Sequence, residues 1–170
     1  MRAKNKNIRQ AKKGFTLIEV ITVLLVVSLG MVGVLSLIVQ NIQSQSLNKN
    51  TLIAYQLAQE GIELVRQVRD TNWRNNIDWR TNLETGTYYM DYLDVAPHLA
   101  QIRAEGNLSQ DEGGMYYSTP NVVFSGNGFS RIIAITDRVD EGILVTSNIY
   151  WSDHGRDYFY SLEALLYDWR

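Results

Sequence analysis

The chain has 170 residues and 19.5 kDa, 45% of them hydrophobic and 20% charged, which is room for one folded domain with an appendage and too apolar for a disordered chain. With no Cys and two His, it excludes disulfides, thiolate metal sites and thiol catalysis, and leaves little for an imidazole-based site. The formal charge of -2 hides an asymmetry: residues 1–14 carry six cations (Arg2, Lys4, Lys6, Arg9, Lys12, Lys13) and no acid, so residues 15–170 carry 10 − 18 = −8, an acidic body that argues against nucleic acid as a partner.

From Val20 to Val39 the chain reads VITVLLVVSLGMVGVLSLIV, without a charge and with Thr22, Ser28 and Ser36 as its only hydroxyls. As a helix it covers roughly 30 Å, the hydrocarbon thickness of a bilayer. A secretory signal peptide has a shorter apolar core followed by a small-residue cleavage site, and neither is present. The cations ahead of the span orient the N-terminus to the cytoplasm and the body to the outside. Taken alone, the span leaves a permanent signal anchor as the alternative reading.

The junction Lys12-Lys13-Gly14-Phe15-Thr16-Leu17-Ile18-Glu19 is the most informative stretch. Gly14 separates cations from apolar residues, and Glu19 sets one carboxylate just inside the apolar run. An unpaired carboxylate in a bilayer costs on the order of 3 kcal/mol or more, so it calls for a named partner. No cation lies within reach on its own helix except those behind Gly14; a new N-terminus at Phe15 would supply one.

These residues resemble the type IV prepilin family, which includes pilins, minor pilins and the pseudopilins of type II secretion. The resemblance rests on the basic leader, Gly14, Phe15, Thr16-Leu17-Ile18, Glu19 and the uncharged run, and is closest to minor pilins. It implies that a membrane-embedded prepilin peptidase cuts after Gly14 and N-methylates Phe15, and that Glu19 neutralises the Phe15 amine of a neighbouring subunit during assembly. It further implies a structural subunit and not an enzyme, with no catalytic residues, metal or cofactor. Its partners would be the peptidase, other pilin subunits, the assembly machinery and, before assembly, the membrane. Removing one member of a buried ion pair costs about 3 to 5 kcal/mol, which makes such a pair a registry device. Gly30 and Gly33 permit close helix contact or a local loosening, or are simply tolerated in a membrane helix.

The implied fold is α+β and pilin-like: a leader at 1–14 that is removed, a transmembrane and filament-core helix at 15–45, its amphipathic continuation at 46–75, and an antiparallel-sheet head at 76–170. In the continuation Leu52, Ile53, Leu57, Leu64, Val65 and Val68 recur at three- and four-residue steps as a packing face. Glu60 and Arg69 are placed on a charged outer face, and Glu63 is set to pair with Arg66 or Gln67. The stretch 70–76 is expected to end the helix. Gly61, costly in a helix, is either a point of close approach to the sheet or a harmless surface residue.

In the head, Trp73, Trp79, Tyr88, Tyr89 and Tyr92 read as anchors to the helix in preference to a carbohydrate platform. Strands are expected at 87–93, 115–118 and 121–124, with turns at 110–114 and 125–128. The C-terminal part predicts strands at 131–136, 143–151 and 158–169, a meander with a turn at 152–156 and one apolar face for the helix to cover. Asp137, Asp140 and Glu141 form an acidic loop matching no calcium-loop spacing, so a solvated hairpin corner is expected. His98 and His154 are expected in loops as satisfied or exposed side chains. The rival to a filament subunit is an uncleaved, single-pass, membrane-anchored binding or sensor domain outside the cell membrane.

Overall fold

The structure, a computed structural model, describes residues 14–94, 96–101, 103–119, 128–139 and 142–168. The leader up to Lys13, the strand expected at 121–124, Asp140, Glu141 and Trp169 lie outside the described residues. One helix, α1 (Leu17–Arg74), precedes an antiparallel sheet, and the chain divides into two compact units, Met1–Ser44 and Gln45–Arg170.

In the first unit the apolar side chains of α1 are exposed throughout, and this part of the helix is long and apolar enough to cross a membrane. Its polar side chains are handled locally. The Thr22 hydroxyl donates to the Ile18 carbonyl at 2.8 Å and that of Ser28 to Leu24 at 2.6 Å, so neither needs water.

In the second unit α1 buries Ala54, Leu57, Ala58, Gly61, Ile62, Leu64, Val65 and Val68. The expected periodicity holds, with one exception: Leu52 is 59% exposed, because it falls on the helix face of the exposed Tyr55, Gln56 and Gln59. The helix ends at Arg74, within the polar stretch expected to stop it. Asn72 and Trp73 are buried, and the Asn72 amide donates to the carbonyls of Trp79 and Thr81 at 3.1 and 2.8 Å, clasping the following loop. Asn76, at φ 55°, ends the helical path in the left-handed region that Asn tolerates.

Among the described residues seven strands form the sheet: β1 (Gly86–Tyr89), β2 (His98–Leu99), β3 (Asn107–Gln110), β4 (Tyr116–Ser118), β5 (Phe129–Asp137), β6 (Ile143–Asp153) and β7 (Arg156–Leu166). β5, β6 and β7 make the expected meander; β5 is longer than its sequence signal at both ends and β6 at its C-terminal end, whereas β7 starts two residues early at Arg156 and stops at Leu166, short of the expected 169. The other edge of β5 is shared: β1 pairs with it at 133–135 and β3 at 129–130, with β2 and β4 outside them. β2, β3 and the 3-10 turn Arg103–Gly106 went unpredicted, being short and polar. The expected strand at 87–93 stops at Tyr89, since Asp91 instead caps a loop, accepting from the Tyr92 and Ser118 amides. The β6–β7 turn has His154 and Gly155 at φ 51° and 75°, the two left-handed residues of a type I′ hairpin.

β6 alternates strictly between buried and half-buried residues, turning Ile143, Val145, Ser147, Ile149 and Trp151 towards α1. Trp73, Trp79 and Tyr88 belong to this core, whereas Tyr92 is 44% exposed and anchors nothing there. At Gly61 an added Cβ would collide with Ser147 Oγ and lie 3.1 Å from Arg131 Cδ, so the closer of the two readings of this glycine holds. Glu60 is not simply an outer-face charge. It pairs at 3.2 Å with Arg131, which is 1% exposed and also donates to the carbonyls of Leu57 and Met90.

Candidate functional site

The start of α1 explains how Glu19 is held. Thr16 precedes the first helical residue, and its hydroxyl accepts from the Glu19 amide at 3.3 Å; the Thr16 carbonyl also accepts from Glu19 and Val20. Thr16-Leu17-Ile18-Glu19 has the spacing of a capping box, in which a hydroxyl at the cap satisfies the amide three residues on. An acid in the first turn is also favoured by the positive end of the helix dipole. Thr16 is the residue that a reading for charge alone misses, although its signal, a Thr three residues ahead of a Glu at the edge of an apolar run, is visible in the sequence.

Phe15, Glu19, Val20, Val23 and Leu24 line a shallow groove of about 260 Å³ along one face of this segment. The three- and four-residue steps bring Phe15 and Glu19 onto that face, where the carboxylate is the one ionisable group among apolar neighbours. No cation among the described residues pairs with it. Gly14 and Phe15 are exposed, Phe15 at 83%, and nothing lies within 4 Å of where a Gly14 side chain would begin. Gly30 and Gly33 are equally open, so whatever approaches them is not part of this chain's described residues.

The remaining polar candidates do not converge on a second site. His98 lies on β2, not in a loop, bonded to Asp94 at 3.0 Å and stacked on Tyr89. His154 sits in the β6–β7 turn beside Asp153, as its sequence context suggested. Asp137, expected in a solvated corner, ends β5 and pairs with Arg80. Among the described residues no three His, Cys, Asp or Glu side chains gather as a metal site.

Residues 9–35 match the family described as "Prokaryotic N-terminal methylation motif". The chain therefore carries a type IV prepilin-type signal, and α1 packed on the antiparallel sheet of the second unit is a pilin-like α+β layout. Searches of curated proteins and of solved structures gave no match. The signal supports a role of the pilin or pseudopilin kind, tied to a membrane and, through the motif, to peptidase processing and assembly with other pilins.

Proposed function

We propose that this protein is a structural subunit of the minor-pilin type in a type IV pilus or type II secretion pseudopilus, cut after Gly14, N-methylated at Phe15 and assembled through its N-terminal helix. The observation that carries the reading is the match over residues 9–35 coinciding with a carboxylate set on an apolar helix face without a cation beside it. Assembly brings that carboxylate against the Phe15 amine of a neighbouring subunit. The leader, residues 1–14, leaves with the peptidase; residues 15–45 pass from membrane to filament core; residues 46–75 carry the head at 76–170. Before assembly the protein spans the cytoplasmic membrane once with its N-terminus inside. Afterwards it stands in an extracytoplasmic filament or at the cell surface.

The chemistry asks little of the protein beyond presentation. Gly14 leaves the scissile bond unobstructed, and Thr16 fixes the first turn. The apolar side chains from Val20 onward exchange lipid for neighbouring helices. Intact-mass and N-terminal analysis of protein purified from its native membrane tests the reading. The expected product begins at Phe15 and carries one added methyl group. A native protein that begins at Met1 would establish the anchored extracytoplasmic domain instead.

A further inference from the structure

Tyr92 and Leu93, at 44% and 75% exposure, stand side by side at the tip of one turn outside the core. The turn is braced from both sides. Its backbone closes from the Asp94 amide to the Asp91 carbonyl at 3.1 Å, while the Asp94 carboxylate accepts from the Asp91 amide at 2.7 Å and is bonded to His98 of β2 at 3.0 Å. Asp91, itself buried, ties the turn to β4 by accepting from the Ser118 amide at 2.7 Å. This bracing fixes the backbone without burying either apolar side chain. A pre-set pair of an aromatic and an aliphatic residue loses little freedom on binding, which suits it to the centre of an interface.

The opposite edge of the same sheet offers a complement. Across the order β2, β1, β5, β6, β7 the turn lies beside β2, and β7 is four strand spacings away, about 19 Å. There α1 and β7 border a groove of about 610 Å³. Ile62, Leu162 and Ala164 give it an apolar floor, and the exposed Gln56, Gln59 and Glu63 form its rim. Charges beside the turn and the groove are paired within the chain, Asp94 with His98, Glu60 with Arg131 and Glu63 with Arg66, so neither surface must shed an unpaired ion there to be covered.

We propose that in the filament the Tyr92-Leu93 turn of one copy docks in the α1–β7 groove of a second copy standing parallel to it, with Leu93 on the apolar floor and the Tyr92 hydroxyl at the rim. The inference rests on the proposed function and commits the subunit to neighbouring positions, which that function leaves open. Levels along the sheet fix the offset. Through the strand ladders Tyr88 is level with Leu162 of β7, and Ser118 with Tyr158. The turn between them falls about three strand residues, roughly 10 Å, short of the groove's centre, so the copy supplying the turn is displaced by that amount towards the C-terminal end of α1. Pairing of Glu19 with a neighbour's Phe15 amine displaces the neighbour in the same sense, by four residues or about 6 Å of helix. Turn and groove are different surfaces, so the contact is heterologous, keeps both helices pointing the same way and repeats along the filament without closing.

The chain lacks Cys, so an introduced pair of thiols reports on one contact. Leu93 and Gln59 are both exposed, and replacing them leaves the core intact. Filaments sheared from cells making the full-length Leu93→Cys/Gln59→Cys variant should, under mild oxidation, give a ladder of dimers, trimers and longer species, about tenfold or more above either single variant. Two thiols on opposite edges of one chain are too far apart to bridge each other. Adding Tyr92→Ala should lower the laddered fraction of filament subunits about tenfold, as loss of an aromatic anchor does. Leu93→Cys/Phe159→Cys, whose second thiol is on the other face of the sheet, should give no ladder. Mass analysis of the N-terminus in the same samples separates the two readings. Subunits that begin at methylated Phe15 and enter filaments without a ladder overturn the contact and leave the proposed function standing. A ladder that Tyr92→Ala leaves unchanged, or one equally strong for the Phe159 pair, also overturns the contact. Absence of the subunit from sheared filaments overturns both.

Discussion

The two parts of α1 differ in what satisfies their side chains. From residue 45 onward α1 finds most of its partners within the chain: Ala54, Ala58 and Val65 are fully buried, Glu60 pairs with Arg131, Glu63 with Arg66 and Arg69 with Asp70. From Leu17 to Ser44 it does not. The apolar side chains are exposed, and the single acid has no described cation. Unsatisfied groups on a well-formed helix point to partners outside the chain, lipid first and other helices later, whereas satisfied groups speak only of the head's stability. Functional information is therefore concentrated in the region with the fewest internal contacts.

The comparison breaks most completely at the processing junction. Gly14→Val places a branched side chain where the peptidase must approach the backbone, and the full-length precursor should accumulate, as read by immunoblot against the size of the mature form. Normal maturation would remove Gly14 from the account. Within the head the largest effect belongs to Arg131. Arg131→Ala leaves Glu60 and two carbonyls without their donor and opens a cavity, costing about 3 to 5 kcal/mol in unfolding of the detergent-solubilised chain. Arg131→Met, which keeps the volume and permits Glu60 to turn to solvent, should cost clearly less. Equal losses would mean that the lost ion pair and hydrogen bonds, and not packing, set the cost there.

Gly61→Val should cost about 2 kcal/mol by overpacking against Ser147 and Arg131. Ser147→Ala should restore part of the stability lost in Gly61→Ala, a coupling that unlinked sites would lack. The smallest effect is at high pH. Burial first, and the nearby Glu84 carboxylate second, raise the Tyr88 pKa; burial does the same for Tyr116. The folded state thus holds these protons more tightly than the unfolded one. Their contribution is complete below about pH 10 and is lost as pH rises past it. Thermal midpoints of the wild type should fall between pH 9 and 11 more steeply than those of Tyr88→Phe.

Most of this architecture was legible in the residues that carry strong patterns. The uncharged run announced the span, the three- and four-residue steps from Ile53 to Val68 announced the covering face, and the alternation at 143–151 announced β6. Less legible was whatever long-range contacts decide. Arg131 looked like an ordinary strand residue, and only the folded head shows it buried against Glu60 and Leu57. β2 and β3 are short and polar, and they exist because β1 and β5 offer them edges. Glu19 stands out in the sequence because a charge inside an apolar run is expensive wherever it occurs. Thr16 escaped because its contribution is geometric.

The pairing of Glu19 with a neighbour's amine is the central claim, and Glu19→Val tests it most directly. The substitution removes a charge that is costly in lipid, so the monomer should remain in the membrane at least as stably as before. In the assembled state it leaves the Phe15 amine without a partner. The measurement is the fraction of this subunit recovered in sheared filaments relative to membrane-retained protein, for the unaltered and substituted forms. The account predicts a near-complete loss from filaments with cleavage after Gly14 largely intact. Equal incorporation of the two forms would contradict it and leave Glu19 as a first-turn acid that only reaches back to the headgroups.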